Sequence, residues 1–136
     1  MAPDYESKNM EVMGKNQFLE NLQNIINISK IPKKEPTGII MISIEAEKIH
    51  EDIKKDILTE MSYFDIVARY NNKFVGARAQ AEDNFYHYAD ILNTHIKEII
   101  ALYQTEKHPI EFKIVKDVVK SDADAKAILE ELEKRI

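Results

Sequence analysis

DIVARYNNKFVGARA, Asp65 to Ala79, reads as two strands, Asp65–Tyr70 and Lys73–Ala79, joined at Asn71-Asn72. Side chains alternate along a strand, so Ile66, Ala68 and Tyr70 share one face of the first arm, and Val67 and Arg69 share the other. Asparagine tolerates positive φ better than most residues other than glycine. Asn-Asn therefore serves as a two-residue hairpin turn, though a weaker one than Asn-Gly. The rest of the chain predicts a small α/β domain built around this hairpin.

On the N-terminal side, residues 1 to about 13 show no period and read as a flexible lead-in to a single domain spanning 14–136. From about Lys15 to Ser29, Phe18, Leu19, Leu22, Ile25 and Ile26 recur at helical spacing and predict an amphipathic helix. Pro32 and Pro36 end it in a loop. Thr37–Glu45, TGIIMISIE, follows with no polar face through Ile39, Ile40, Met41 and Ile42, the pattern of a central strand covered on both sides. Ile49, Ile53, Ile57 and Met61 then lie four apart and predict a second helix reaching towards the hairpin.

On the C-terminal side, Glu82 to about Gln104 is the longest helix. Phe85, Tyr88, Ala89, Leu92, Ile96, Ile99, Ile100 and Tyr103 line one side of it. After Pro109, Ile110, Phe112 and Ile114 alternate with Glu111, Lys113 and Val115, a strand with one wetter face and so an edge strand. Ser121-Asp-Ala-Asp124 has the form of a capped helix start, and Ile128, Leu129, Leu132 and Ile136 carry a last helix. The order is helix, β-α-β-β-α-β, helix. That predicts an α+β fold with a ferredoxin-like βαββαβ core, an antiparallel sheet with helices on one face, and extra N- and C-terminal helices.

Composition narrows the function classes. A chain of 136 residues fits one domain and buries roughly two-thirds of its unfolded surface. It has no Cys, which excludes disulfides, thiolate metal sites and cysteine nucleophiles and suits a reducing cytoplasm. The opening MAPDYESKNMEVM is polar and acidic, unlike a secretory signal. The longest apolar run, Ile99–Tyr103, is far too short to cross a bilayer, so no membrane partner is expected. A net charge of −5 argues against nucleic acid. Lys30, Lys33 and Lys34 sit among prolines beside Glu35 and read as a solvated loop.

Three pieces of the chain resemble the GGDEF domain, the diguanylate cyclase module of bacterial signalling proteins. Lys15–Leu22, KNQFLENL, resembles the family's NRRxFxxxL opening helix through Phe18 and Leu22. Thr37–Glu45 resembles its first strand, which ends in a DxD-like sequence. Asp65–Val75, DIVARYNNKFV, resembles the D-x-x-A-R-Y-G-G-D-E-F hairpin. The resemblance implies the ferredoxin-like core and a family whose members bind GTP and divalent metal.

The departures from the family pattern bear on chemistry. Its two glycines let the backbone approach nucleotide phosphates, and an acid after them helps hold the metal. Here Asn71, Asn72 and Lys73 fill a turn one residue shorter, and a lysine repels the cation that a carboxylate would bind. The other metal carboxylate falls at Ser43, a poor Mg²⁺ ligand alone. Glu45 is the only retained acid near that position, and one carboxylate does not make a two-metal site. In place of the family's F-K-x-x-N-D, the chain has Glu47-Lys48-Ile49-His50-Glu51-Asp52, which keeps only Lys48 and Asp52. From there to the hairpin the chain is roughly a dozen residues shorter than the family pattern, which removes the guanine-reading turn. The R-x-x-D of the family's inhibitory site has Ser62 for its Arg, with Asp65 kept.

The expectation is therefore a degenerate, inactive GGDEF-like domain in a bacterial cytoplasm, with no cofactor and no metal, that works by contact with a protein partner through Asn71, Asn72 and Lys73. The alternative is a sensor that holds GTP or cyclic di-GMP without turnover, with Lys48 and Lys73 on the phosphates. Elsewhere, His87 and His95 on the long helix lie about 80° apart around its axis and form no ligand pair. Asp83 with His87 reads as a surface pair, and His95 as a hydrogen-bonded, partly buried imidazole. Phe85, Tyr86 and Tyr88 read as core and boundary packing, and Glu130, Glu131 and Glu133 as the wet face of the last helix.

Overall fold

In the computed structural model, residues 12–28, 35–46, 51–119 and 123–136 are described. Their elements run β1 (Val12–Met13), α1 (Lys15–Ile28), β2 (Thr37–Glu45), α2 (Glu51–Glu60), a 3₁₀ turn (Met61–Tyr63), β3 (Ile66–Tyr70), β4 (Lys73–Ala79), α3 (Glu82–Tyr103), β5 (Glu111–Val119) and α4 (Ala125–Arg135). The strands lie in the order β1-β3-β4-β2-β5. Within the βαββαβ core every pair is antiparallel, with β2 between β4 and β5. This is the ferredoxin-like arrangement the sequence predicts, with β2 central and β5 at the edge.

The sheet differs from that prediction in two ways. Val12 and Met13 form a short strand parallel to β3, pairing with Val67 and Ala68, so the five-stranded sheet is mixed. These two residues belong to the stretch read as a lead-in, and Met13 is buried; two residues are too few to show a period. Residues 1–11 lie outside the described part. The helices also cover both faces of the sheet. On one face, Ile40, Ile42, Ile44, Val67 and Phe74 pack against Ile53 and Ile57 of α2 and Phe85, Leu92 and Ile96 of α3. On the other, Ile39, Met41, Ile66, Ala68 and Val75 pack against Phe18, Leu22 and Ile26 of α1 and Leu129 and Leu132 of α4. No helix among the described residues is long and apolar enough to cross a membrane.

Local chemistry explains the ends of these elements. Glu51 and Asp52 open α2, and Glu82 and Asp83 open α3, where negative charge complements the unpaired amides of a helix start. The second helix stops at Glu60, and Met61 falls in the 3₁₀ turn. Asp124 caps α4, its side chain accepting from Ala127 N at 3.0 Å. Asn71 has φ 54° and is the only residue besides glycine with positive φ among those described. Positive φ at the first central residue alone follows the II′ pattern, one of the two turns that match strand twist.

Two glycines let aromatic rings settle on the sheet. A Cβ on Gly38 would overlap the Phe85 ring, and one on Gly76 would overlap the Phe64 ring. Phe64 and Phe85 are themselves neighbours, with ring centroids 6.4 Å apart, and both are buried. Replacing either glycine with alanine must push a core ring aside. Gly38→Ala and Gly76→Ala should each lower unfolding stability by about 1–3 kcal/mol, measured by urea denaturation against the parent chain.

Candidate functional site

Of the residues singled out by sequence, Ser43, Glu45, Asn71, Asn72 and Lys73 lie together at one end of the sheet, where β2 leaves the core. Tyr70 pairs with Lys73 across the hairpin, Lys73 with Ser43, and Ser43 with Lys113 of β5. These four residues form a row across four strands on the face that carries α1 and α4. Adjacent strands are about 4.8 Å apart, so Ser43 is bracketed by a lysine on each side. One row further out, Glu45 faces Glu111. The turn is tied to β2 by its backbone, with Ile44 N donating to Asn72 O at 3.0 Å. Asn71 and Asn72 are exposed and Lys73 is half-buried. Lys48 lies outside the described residues, as do Glu47, Ile49, His50 and Lys30, Lys33 and Lys34.

The same end of the sheet holds a polar cluster that sequence reasoning assigned to solvent. Glu133 of α4 accepts from Lys15 Nζ at 3.0 Å and from Tyr70 Oη at 2.8 Å. It is not on a wet face: its side chain is 24% exposed, against 41% for Lys15. The Lys15 ammonium also stands 5.2 Å from the centre of the Tyr70 ring, within cation–π range. Burial pushes the Glu133 carboxyl up, but the hydrogen bonds from Lys15 and Tyr70, with the charges of Lys15 and Lys73, outweigh it and hold the carboxyl below 4.5. Burial, and then the Glu133 hydrogen bond, push the Tyr70 phenol well above its ordinary value. One carboxylate thus joins the start of α1, the end of α4 and the last residue before the turn. In the sequence, Glu133 follows Leu129 by four residues and so borders the apolar stripe, but that spacing points to neither partner.

On the opposite face of the hairpin, Arg69 is near enough to help Lys54 hold the Glu51 carboxyl below its ordinary value; the Lys54 hydrogen bond, 3.0 Å long, is the main cause. Elsewhere the expected packing is found. His95 Nδ1 lies 2.6 Å from Glu60 Oε1. Tyr88 stacks on Tyr63 with ring centroids 3.8 Å apart and donates to Glu60 O at 2.8 Å. Among the described residues no group of three His, Asp or Glu side chains is arranged to hold a metal ion.

A ferredoxin-like core with an N-terminal and a C-terminal helix on its second face, and a hairpin tip beside the end of the central strand, defines a GGDEF-like fold. The crystal structure of a DGC (diguanylate cyclase) protein from Thermotoga maritima is similar to it, with a TM-score of 0.75 over 93% of this chain and 97% of that one, at 18% identity. Likeness at that identity establishes the fold. No protein-family model matches the sequence, and no curated protein matches it.

The side chains at the tip do not fit the metal that the family resemblance implies. Ser43 offers a neutral hydroxyl, and the register sets a lysine next to it on each side, which disfavours a divalent ion there. Glu45 faces Glu111 across the register, and among the described residues this pair gains no third His, Asp or Glu to make a metal-holding group.

Because the Glu133 carboxyl is held below 4.5, its contribution to stability is complete above that pH and is lost as pH falls through the lower folded value. Glu133→Gln should lower stability by about 1–2 kcal/mol at neutral pH. It should also flatten the decline of stability below pH 4.5, as read from urea unfolding between pH 3 and 7.

Proposed function

We propose that the chain is a catalytically silent GGDEF-like domain that acts by contact with a protein partner in bacterial cytoplasmic signalling. The observation that carries this reading is the row Lys73–Ser43–Lys113, which sets two cations around the position where the family pattern has a metal-binding carboxylate. Two further features support it. The tip has asparagines where glycines would admit phosphates, and the two-residue turn leaves no room for the acid that follows them in the family pattern. Asn71 and Asn72, both exposed, and Lys73 offer amide groups and one positive charge, which suit an acidic patch on a partner.

The other reading, a sensor holding GTP or cyclic di-GMP without turnover, would use Lys48 and Lys73. It gains no specific observation, since Lys48 lies outside the described residues.

Calorimetric titration with GTP and with cyclic di-GMP, with and without Mg²⁺, should give no binding heat, and incubation with GTP and Mg²⁺ should give no cyclic product. Micromolar binding abolished by Lys73→Ala would replace this reading with the sensor. Formation of a cyclic dinucleotide would overturn it.

A further inference from the structure

The outer edge of β5 carries a pattern that the reading of the hairpin does not use. β5 is the last strand of the sheet and spans nine residues. Lys116 O accepts from Arg135 Nη2 at 3.2 Å, and Val118 N donates to Asp117 Oδ1 at 2.9 Å. These two groups are bonded by side chains and not by β2, so they face outwards. By the alternation of an antiparallel ladder, the backbone groups of Phe112 and Ile114 face outwards with them. Phe112, Ile114 and Val118 are half-buried on the α2 and α3 face. Lys113, Val115 and Asp117 lie on the other.

We infer that this edge pairs antiparallel with the same edge of a second copy of the chain, about a two-fold axis at Val115, with Lys113 of each copy opposite Asp117 of the other. In that register the hydrogen-bonded pairs are Phe112 with Val118 and Ile114 with Lys116. All four residues have outward backbone groups, as an antiparallel pair requires. Lys113 and Asp117 fall in the non-hydrogen-bonded pairs, where side chains come closest and opposite charges are favourable. Moving the axis by one residue breaks the match. Centred on Ile114, Glu111 meets Asp117; centred on Lys116, the two Lys116 residues meet. Both place like charges directly opposite each other.

Lysines alone would protect an edge from pairing. A protected edge has no need of an acid four residues after the first lysine, at the position that a two-fold axis brings against it. Arg135 is exposed, and the Asp117 contact joins neighbouring residues, so an incoming strand displaces one surface side chain and one local bond. The result is a two-fold pair with a continuous sheet, the isologous form that a self-complementary surface gives.

The test is sedimentation equilibrium of the whole chain at low salt. The parent chain should dimerise with increasing concentration. Lys113→Asp and Asp117→Lys should each weaken association by on the order of tenfold or more, since each sets two like-charged pairs at the axis. An equimolar mixture of the two variants should associate again, because each then supplies the charge the other lacks. The double variant K113D/D117K should dimerise alone, and circular dichroism of all three variants should match the parent. A parent chain that stays monomeric at high concentration would overturn the inference. So would dimers indifferent to either reversal, or a mixture that stays monomeric. No nucleotide enters the measurement, so its failure would leave the reading of the hairpin as it stands.

Discussion

The structure depends on β2 being hydrogen-bonded on both sides and buried on both faces. Its four consecutive large residues Ile39, Ile40, Met41 and Ile42, with Ile44 beyond Ser43, are 0–1% exposed, and burying each contributes about 1.5–3 kcal/mol. A strand without a polar face requires a layer of helices above and another below. The core helices α2 and α3 supply one layer and the terminal helices α1 and α4 supply the other. Ser43 and Glu45 are the first polar side chains as β2 leaves this sandwich. The chemistry available at the tip is therefore decided by the few residues that the registers of β4 and β5 place beside them.

Those neighbours make the tip a closed structural corner. Tyr70, Lys15 and Glu133 tie the last residue before the turn to both terminal helices, and Ile44 N holds the turn backbone to β2. A site for a nucleotide triphosphate needs backbone that a phosphate can approach and acids that hold its metal. Here the turn carries two exposed asparagines, and the row next to it runs tyrosine, lysine, serine and lysine.

Much of the fold was legible because its long elements have strong periods. The 3.6-residue repeat of α3 reported the helix, and the apolar run of β2 and the alternation of β5 reported each strand and its place in the sheet. Asn71 reported the turn through its tolerance of positive φ. What escaped was tertiary. β1 is two residues long and has no pattern to read. Nothing local to α1 or α4 says that they cover the second face, although the two-sided burial of β2 required some element to do so. At the candidate site, Asn71, Asn72, Lys73 and Glu45 were legible through one hairpin and one strand. Glu133 was not, since its partners Lys15 and Tyr70 lie 118 and 63 residues away. Lys113 was read as one residue of an edge strand, and only the register with Ser43 gives it a second role.

At the end of β2 a hydroxyl stands in register between two lysines, an arrangement that disfavours a divalent-cation site. Paramagnetic Mn²⁺, which takes the oxygen ligands that Mg²⁺ takes, reports such a site directly through selective broadening of nearby amide resonances. Titrating the isotopically labelled chain should leave Ser43, Ile44, Glu45 and the hairpin from Tyr70 to Phe74 no more broadened than exposed carboxylates elsewhere. Saturable broadening centred on Ser43 and Glu45 at micromolar Mn²⁺ would contradict the account.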